Sequence, residues 1–146
     1  MPGTDTPRPT PDGSKSAAIS NFTVRLLSQY TGRGPTKART FLNEDMVTVV
    51  LRDTLTKAEQ TLVEKDRSAL VLTTRATFQE VMGADLVAGV EEILGRQVVA
   101  FLSANHVGPD IAIESFVLAA VDKTAPQLAD TREAGLAAAD AGVSER

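Results

Sequence analysis

The 146-residue chain is 42% hydrophobic and 23% charged, the composition of a single globular domain, which excludes fibrous and wholly disordered classes. It contains no cysteine, which excludes disulfides, thiolate zinc sites and cysteine nucleophiles together. A net charge of -4 argues against indiscriminate binding to nucleic acid.

Residues 1 to 15 hold four prolines among Thr, Asp, Gly and Ser. Such a segment cannot bury enough apolar surface to order itself, so it reads as a disordered tail. It lacks the apolar stretch of a secretion signal, and no later run reaches the ~18 apolar residues of a membrane span, which predicts a soluble cytoplasmic protein. From Ser16 onward, Ile19, Phe22, Leu26, Leu27 and Tyr30 recur at helical spacing and predict a helix ending near Tyr30. Gly32 is placed to take the left-handed conformation that closes a helix, and Pro35, which has no N–H, forbids its continuation.

Two strands follow, Lys37 to Leu42 and Met46 to Arg52, joined by the turn-tolerant Asn43-Glu44-Asp45. The second is apolar almost throughout and reads as an interior strand, whereas the alternation in Lys37, Arg39 and Phe41 suggests a half-exposed neighbour. Thr56-Lys57-Ala58-Glu59 has the spacing of a capping box and starts a short helix at Lys57. Asp66 is suited to cap a second helix, whose stripe Val71, Thr74, Phe78, Val81, Met82, Val90 and Ile93 runs to Gly95. A single helix there is long for so small a domain, and Gly83 stands where it would bend. A second hairpin is signalled by Gln97 to Ser103 and Ile111 to Leu118 around the turn-rich stretch Ala104 to Asp110. Beyond Val121 an Ala- and Asp-rich tail with weak periodicity allows at most a loose helix.

Charge is distributed unevenly. Lys15, Arg25, Arg33, Lys37 and Arg39 fall between Gly13 and Asn43 with no acid among them. From Ala76 to Asp122 the acids Glu80, Asp85, Glu91, Glu92, Asp110, Glu114 and Asp122 face the single cation Arg96. Such polarity suits association between subunits or docking on a partner of complementary potential, or else compensation within one subunit. The loop Gly32-Arg33-Gly34-Pro35-Thr36-Lys37 is the best site candidate. Its glycines allow close backbone approach and its cations suit a small anion, although the same residues also make a helix cap followed by a turn. It follows a helix and enters a strand, the reverse of a nucleotide-binding phosphate loop. His106 is the only histidine and sits in a polar turn, so neither a metal site nor a catalytic triad is expected. Glu80, Asp85, Glu91 and Glu92 belong on a solvated helix face. Phe22, Tyr30 and Phe41 are the only aromatics near the cations, which makes a nucleic-acid platform unfavourable.

The segments Tyr30-Thr31-Gly32-Arg33-Gly34-Pro35-Thr36-Lys37, Met46 to Leu51, Leu55-Thr56-Lys57-Ala58-Glu59-Gln60-Thr61-Leu62, Phe78-Gln79-Glu80, Gly95-Arg96-Gln97-Val98 and Phe116-Val117-Leu118 together resemble the bacterial MpsC-type family, from about Ile19 to Leu118. That family is named after a sodium-translocating, membrane-potential-generating system linked in some bacteria to bicarbonate supply. The resemblance implies a setting, with membrane transporter subunits as partners, and carries no catalytic residues onto this chain.

The reading is therefore an α+β domain over residues 16 to 121, in the order α-ββ-α-α-ββ, with two hairpins in one antiparallel sheet covered on one face by helices. It is expected to be a homodimer without cofactor or metal. It would act as a non-enzymatic accessory or regulatory protein that meets a partner, and a small anion, through Gly32, Arg33, Gly34, Pro35, Lys37, Arg39 and Arg96. The alternatives are an enzyme acting on an anionic substrate and a nucleic-acid-binding module.

Overall fold

Backbone polar groups on a strand need partners, and the two hairpins of this chain supply them to each other. The computed structural model describes residues 11–121. Its elements are α1 (Pro11–Thr31), β1 (Lys37–Leu42), β2 (Met46–Arg52), α2 (Lys57–Glu64), α3 (Ser68–Leu94), β3 (Val98–Val107) and β4 (Asp110–Leu118). The strands form one antiparallel sheet ordered β1-β2-β4-β3, so the second strand of each hairpin lies inside. This is the α+β fold that the periodicity predicts.

Side chains alternate across the strands, and one face takes nearly all of the helix contacts. Val47, Val49 and Leu51 of β2 stand opposite Phe116, Glu114 and Ala112 of β4, all of them buried. Ile19 of α1 and Met82, Leu86 and Val90 of α3 close over them to complete the core. Each such side chain contributes roughly 1.5–3 kcal/mol on burial. Phe101 and Phe116 add a tilted ring pair with centroids 5.1 Å apart. Helix α1 is tied to the edge strand by a Ser20–Thr40 hydroxyl hydrogen bond of 2.7 Å.

The element boundaries correct three expectations. The tail assigned to residues 1 to 15 is helical from Pro11. Proline is favoured at a first helical position, where its missing N–H would be unpaired anyway, and Asp12 in the first turn suits the helix dipole. Residues 1–10 and the Ala-rich 122–146 lie outside the described residues. Asp66 does not cap α3, whose N-cap is Arg67 without a side-chain bond. It closes α2 instead: with φ 59° it lets Arg67 N–H reach the Leu62 carbonyl at 2.8 Å and its own N–H reach Val63 at 3.2 Å, a Schellman pair. The turn expected over Ala104 to Asp110 is shorter than predicted, because Ala104, Asn105 and His106 pair with Ile113, Ala112 and Ile111 as strand. Only Gly108 and Pro109, joined by a cis peptide, are left to turn.

Other features match the sequence reading. Gly32 and Gly95 take φ of 78° and 63° at the ends of α1 and α3. The Thr56–Glu59 capping box is complete. Two expectations for α3 are corrected: it is continuous through Gly83, where the bend was expected, and its stripe is not wholly buried. Val81 and Phe78, assigned to the core stripe, are exposed by 61% and 39%. Among the described residues no helix is long and apolar enough to cross a membrane.

Helices α1 and α3 approach through Gly89, where a Cβ would lie 2.0 Å from the Phe22 ring. At Gly83 a Cβ would meet Phe101 at an ordinary 3.4 Å. Gly89→Ala is therefore expected to cost about 1–3 kcal/mol by overpacking. Gly83→Ala, by contrast, should gain up to about 1 kcal/mol from helix propensity. Urea denaturation of the two variants checks both signs, and equal shifts would refute the packing assignment.

Candidate functional site

The loop between α1 and β1 is held down on both sides. A Cβ at Gly34 would lie 2.2 Å from Ser28 Oγ and 3.1 Å from the Val24 carbonyl oxygen, so glycine here lets the loop lie against α1. Pro35 is buried beside it. Arg33 is not free: its Nη2 lies 2.9 Å from Asp53 Oδ2, and its Nη1 donates to the Leu55 carbonyl. Thr36 donates to the same Asp53 oxygen at 3.0 Å. These bonds, from Arg33 first and Thr36 second, hold the Asp53 carboxyl below the usual range. The loop is thus latched to the β2–α2 connection, and Lys37 is its exposed cation.

The other predicted cations are elsewhere. Arg39 points to the uncovered side of the sheet, its guanidinium 4.7 Å from the Phe41 ring centre. Arg96 sits at the far end of the β1–β2 hairpin. There it donates to the Glu44 carbonyl at 2.5 Å and the Ala119 carbonyl at 2.9 Å, and faces Asp45 at 3.5 Å. The structure therefore gathers Gly32 to Lys37, leaves Arg39 two residues along β1 on the face that Lys37 shares, and separates Arg96 by the length of β1. His106, placed in a turn by the sequence reading, is an exposed strand residue with Nδ1 2.7 Å from the Pro109 carbonyl oxygen. Asp110 accepts from Thr54 Oγ1 at 2.7 Å and Leu55 N–H at 2.9 Å. No cluster of three or more His, Cys, Asp or Glu able to hold a metal ion occurs among the described residues.

Behind the loop lies a cavity of about 270 Å³, bordered by Tyr30, Arg33 and Pro35 and reaching between α3 and the sheet. Its wall is built on Arg75. Nε donates to Glu59 Oε2 at 2.6 Å, Nη2 to Glu59 Oε1 and the Thr54 carbonyl, and Nη1 to Thr54 Oγ1 and Asn105 Oδ1. Every guanidinium N–H is thereby committed. Although burial pushes the Glu59 carboxyl up, Arg75 and the Thr56 N–H outweigh it and hold the group below its ordinary value.

The floor is Glu114, on the core-facing side of β4 and 1% exposed. Gln79 donates to its Oε1 at 3.3 Å, while Oε2 has no hydrogen-bond partner. Ser103, paired with it across β3 and β4, is near enough to act on the carboxyl, yet its buried Oγ also completes no hydrogen bond. Burial pushes Glu114 up to about 7, against the opposing pull of Ser103, Gln79 and Arg75.

Sequence reasoning named Glu59 only as a cap and Glu114 only as part of an acidic half, and it gave Arg75 and Gln79 no role. The signal was present. Ala112, Glu114, Phe116 and Leu118 alternate on one face of β4, and Val71, Arg75, Gln79, Met82, Leu86 and Val90 follow one face of α3. Polar residues at core phase in two facing elements mark a polar chamber.

A family model described as Na+-translocating membrane potential-generating system (MpsC) matches residues 12–120, the span that holds the whole α-ββ-α-α-ββ unit. No curated protein and no solved structure matches the chain.

Two predictions follow from the chamber. A carboxyl that titrates near 7 folded and near 4.5 unfolded binds more protons in the folded state between those values, so stability falls as pH rises across that window. The loss amounts to about 3 kcal/mol. Glu59, shifted down, acts oppositely and only as pH drops below about 4.5. Melting temperature should decline from about pH 4.5 to about pH 7, and Glu114→Gln should flatten that decline. Arg75→Ala, which leaves a half-buried Glu59 uncompensated, should cost about 3 kcal/mol. Arg33→Ala removes an exposed pair and should cost about 1 kcal/mol or less. Comparable losses in denaturant titration would refute the distinction.

Proposed function

The chain belongs to the MpsC family, and from that premise we propose that it is a non-enzymatic accessory subunit of a sodium-translocating, membrane-potential-generating system that acts through protein contact. In this reading the first partner is a second copy of the chain, and the dimer then engages a membrane component. The family's link with inorganic-carbon supply gives the wider setting.

The observation that carries this reading is the uncovered face of the sheet. Antiparallel sheets with one face toward water normally carry polar residues there. Here adjacent strands align Val50 with Ile113 and Ala104, Met46 with Val117 and Ala100, and Phe41 with Thr48, Ser115 and Leu102. Leu102, Met46, Phe41 and Ile113 are exposed by 57%, 43%, 42% and 38%. Four strands about 4.8 Å apart and some 20–30 Å long make a face of the order of 500 Å² in all. On it these apolar side chains flank the polar Thr48–Ser115 pair, and exposed apolar side chains grouped in this way mark an interaction surface. Arg39, Lys37 and Arg52 border it on the β1 side, so a two-fold arrangement can bury the apolar centre and keep the cations at the rim. The anion reading of the loop rests on Lys37, because Arg33 is already paired.

Sedimentation analysis at micromolar concentration is expected to show a dimer that Ile113→Glu converts to monomer with little change in melting temperature. Arg33→Ala should leave the dimer intact. In cells lacking the gene, a voltage-sensitive dye should report a lowered potential in sodium medium, restored by the natural chain and not by Ile113→Glu. A monomeric natural chain would overturn the sheet-face assignment, and an unchanged potential would overturn the accessory role.

A further inference from the structure

The cavity behind the Gly32–Lys37 loop has the features of a ligand site that the accessory role does not use. Its size is near the lower end of the ~300–1,000 Å³ range of small-molecule pockets. Leu27, Leu51, Phe78 and Met82 make its walls mainly apolar. Among the groups that line it, Glu114 Oε2 completes no hydrogen bond, although the hydroxyl of Ser103 stands beside the same carboxyl and is itself incomplete. A buried acceptor whose hydrogen bond is incomplete is costly, and an occupant that brings a well-placed donor removes that cost.

Charge narrows the occupant further. The charged or titratable residues lining the cavity besides Glu114 are Tyr30 from α1, Arg33 from the loop, Glu59 from α2 and Arg75 from α3, while β2 and β3 contribute Leu51 and Asn105. Arg75 is paired with Glu59, and Arg33 with Asp53. Tyr30 donates its hydroxyl to Asp85 at 2.5 Å. With those pairs cancelled, the carboxyl on the floor is the single uncompensated acid facing the space. Arg75 has no N–H left for a carboxylate or phosphate, so the chamber is not built for an anion. We propose that it binds a small amphipathic amine, with the ammonium group donating to Glu114 Oε2 and the hydrocarbon part lying against Leu27, Phe78 and Met82.

The proton linkage follows from the same geometry. The ammonium pairs with the ionised carboxylate, so binding strengthens as Glu114 deprotonates and levels off above its midpoint near 7. Below that midpoint, affinity falls by about tenfold for each pH unit.

The test uses the full chain and three probes of equal length, n-hexylammonium, n-hexanol and hexanoate, titrated calorimetrically and followed by amide shifts of Leu51, Ala112 and Glu114. At alkaline pH the amine should bind about tenfold more tightly than the alcohol, as a charge-assisted hydrogen bond does relative to a neutral one, and hexanoate should not bind. The amine-to-alcohol ratio should collapse toward unity on acidification, and equally in Glu114→Gln. The pH series on the unmodified chain stands even if that variant folds poorly. Equal, pH-independent binding of amine and alcohol would overturn the proposal, as would shifts confined to residues outside the cavity or no binding at all. Displacement of the amine by sodium but not by potassium would assign the oxygen to an inorganic cation and would also overturn it.

Discussion

The pairing of β2 with β4 is the constraint on which the rest of this structure depends. Each hairpin alone offers two strands and one marginal apolar face. Joined through Met46–Arg52 and Ile111–Val117 they become a four-stranded sheet wide enough for α1 and α3 to lie side by side on it. That contact also places Val49 next to Glu114 and brings Leu51 beside Ala112, so one register sets both the core and the floor of the chamber. A slip of β4 by one residue against β2 would exchange the faces of β4, burying Ile113 and Val117 and exposing Phe116 and Glu114.

The polar chamber runs against the economy of a small core. A network of Arg75, Glu59, Thr54 and Asn105 satisfies the guanidinium fully, and such a network rigidifies its surroundings when every member is paired. Glu114 does not follow that pattern, because it sits among core residues with one oxygen unpaired and titrates near neutrality. Local violations of otherwise consistent packing are characteristic of functional positions. The rest of the molecule supplies the compensating stability through the Phe101–Phe116 pair, the Phe22–Gly89 contact and the Thr56–Glu59 capping box.

Membership in the MpsC family gives a setting of sodium translocation and membrane potential. Within it, the chain offers two surfaces of different character. One face of the sheet carries the exposed Phe41, Met46, Leu102 and Ile113 with Arg39 and Arg52 to one side, and is the surface proposed to meet another protein. The opening beside Arg33 and Phe78 leads to a cavity of about 270 Å³ with Glu114 in its lining, and is the place proposed for a small molecule. The loop from Gly32 to Lys37 lies against α1 and is latched to Asp53, and its Arg33 and Pro35 border one side of that opening.

The order of elements, the interior position of β2, the Thr56 capping box and the glycine closures at Gly32 and Gly95 were all legible in the chain itself, because each depends on near neighbours in sequence: periodicity, a cap three residues away, a left-handed dihedral. The early start of α1 at Pro11 and the closing of α2 by Asp66 were missed because proline and aspartate each fit more than one local role. What surrounds Arg33, Arg75 and Glu114 was decided only by the tertiary structure. Their partners stand 20, 16 and 35 residues away, at Asp53, Glu59 and Gln79, and whether a cation is free or a carboxyl is charged depends on which groups folding brings within hydrogen-bond reach. Local sequence can put a polar residue on the core-facing phase of a strand or helix; the energy of burying it is set by atoms that only the folded chain assembles.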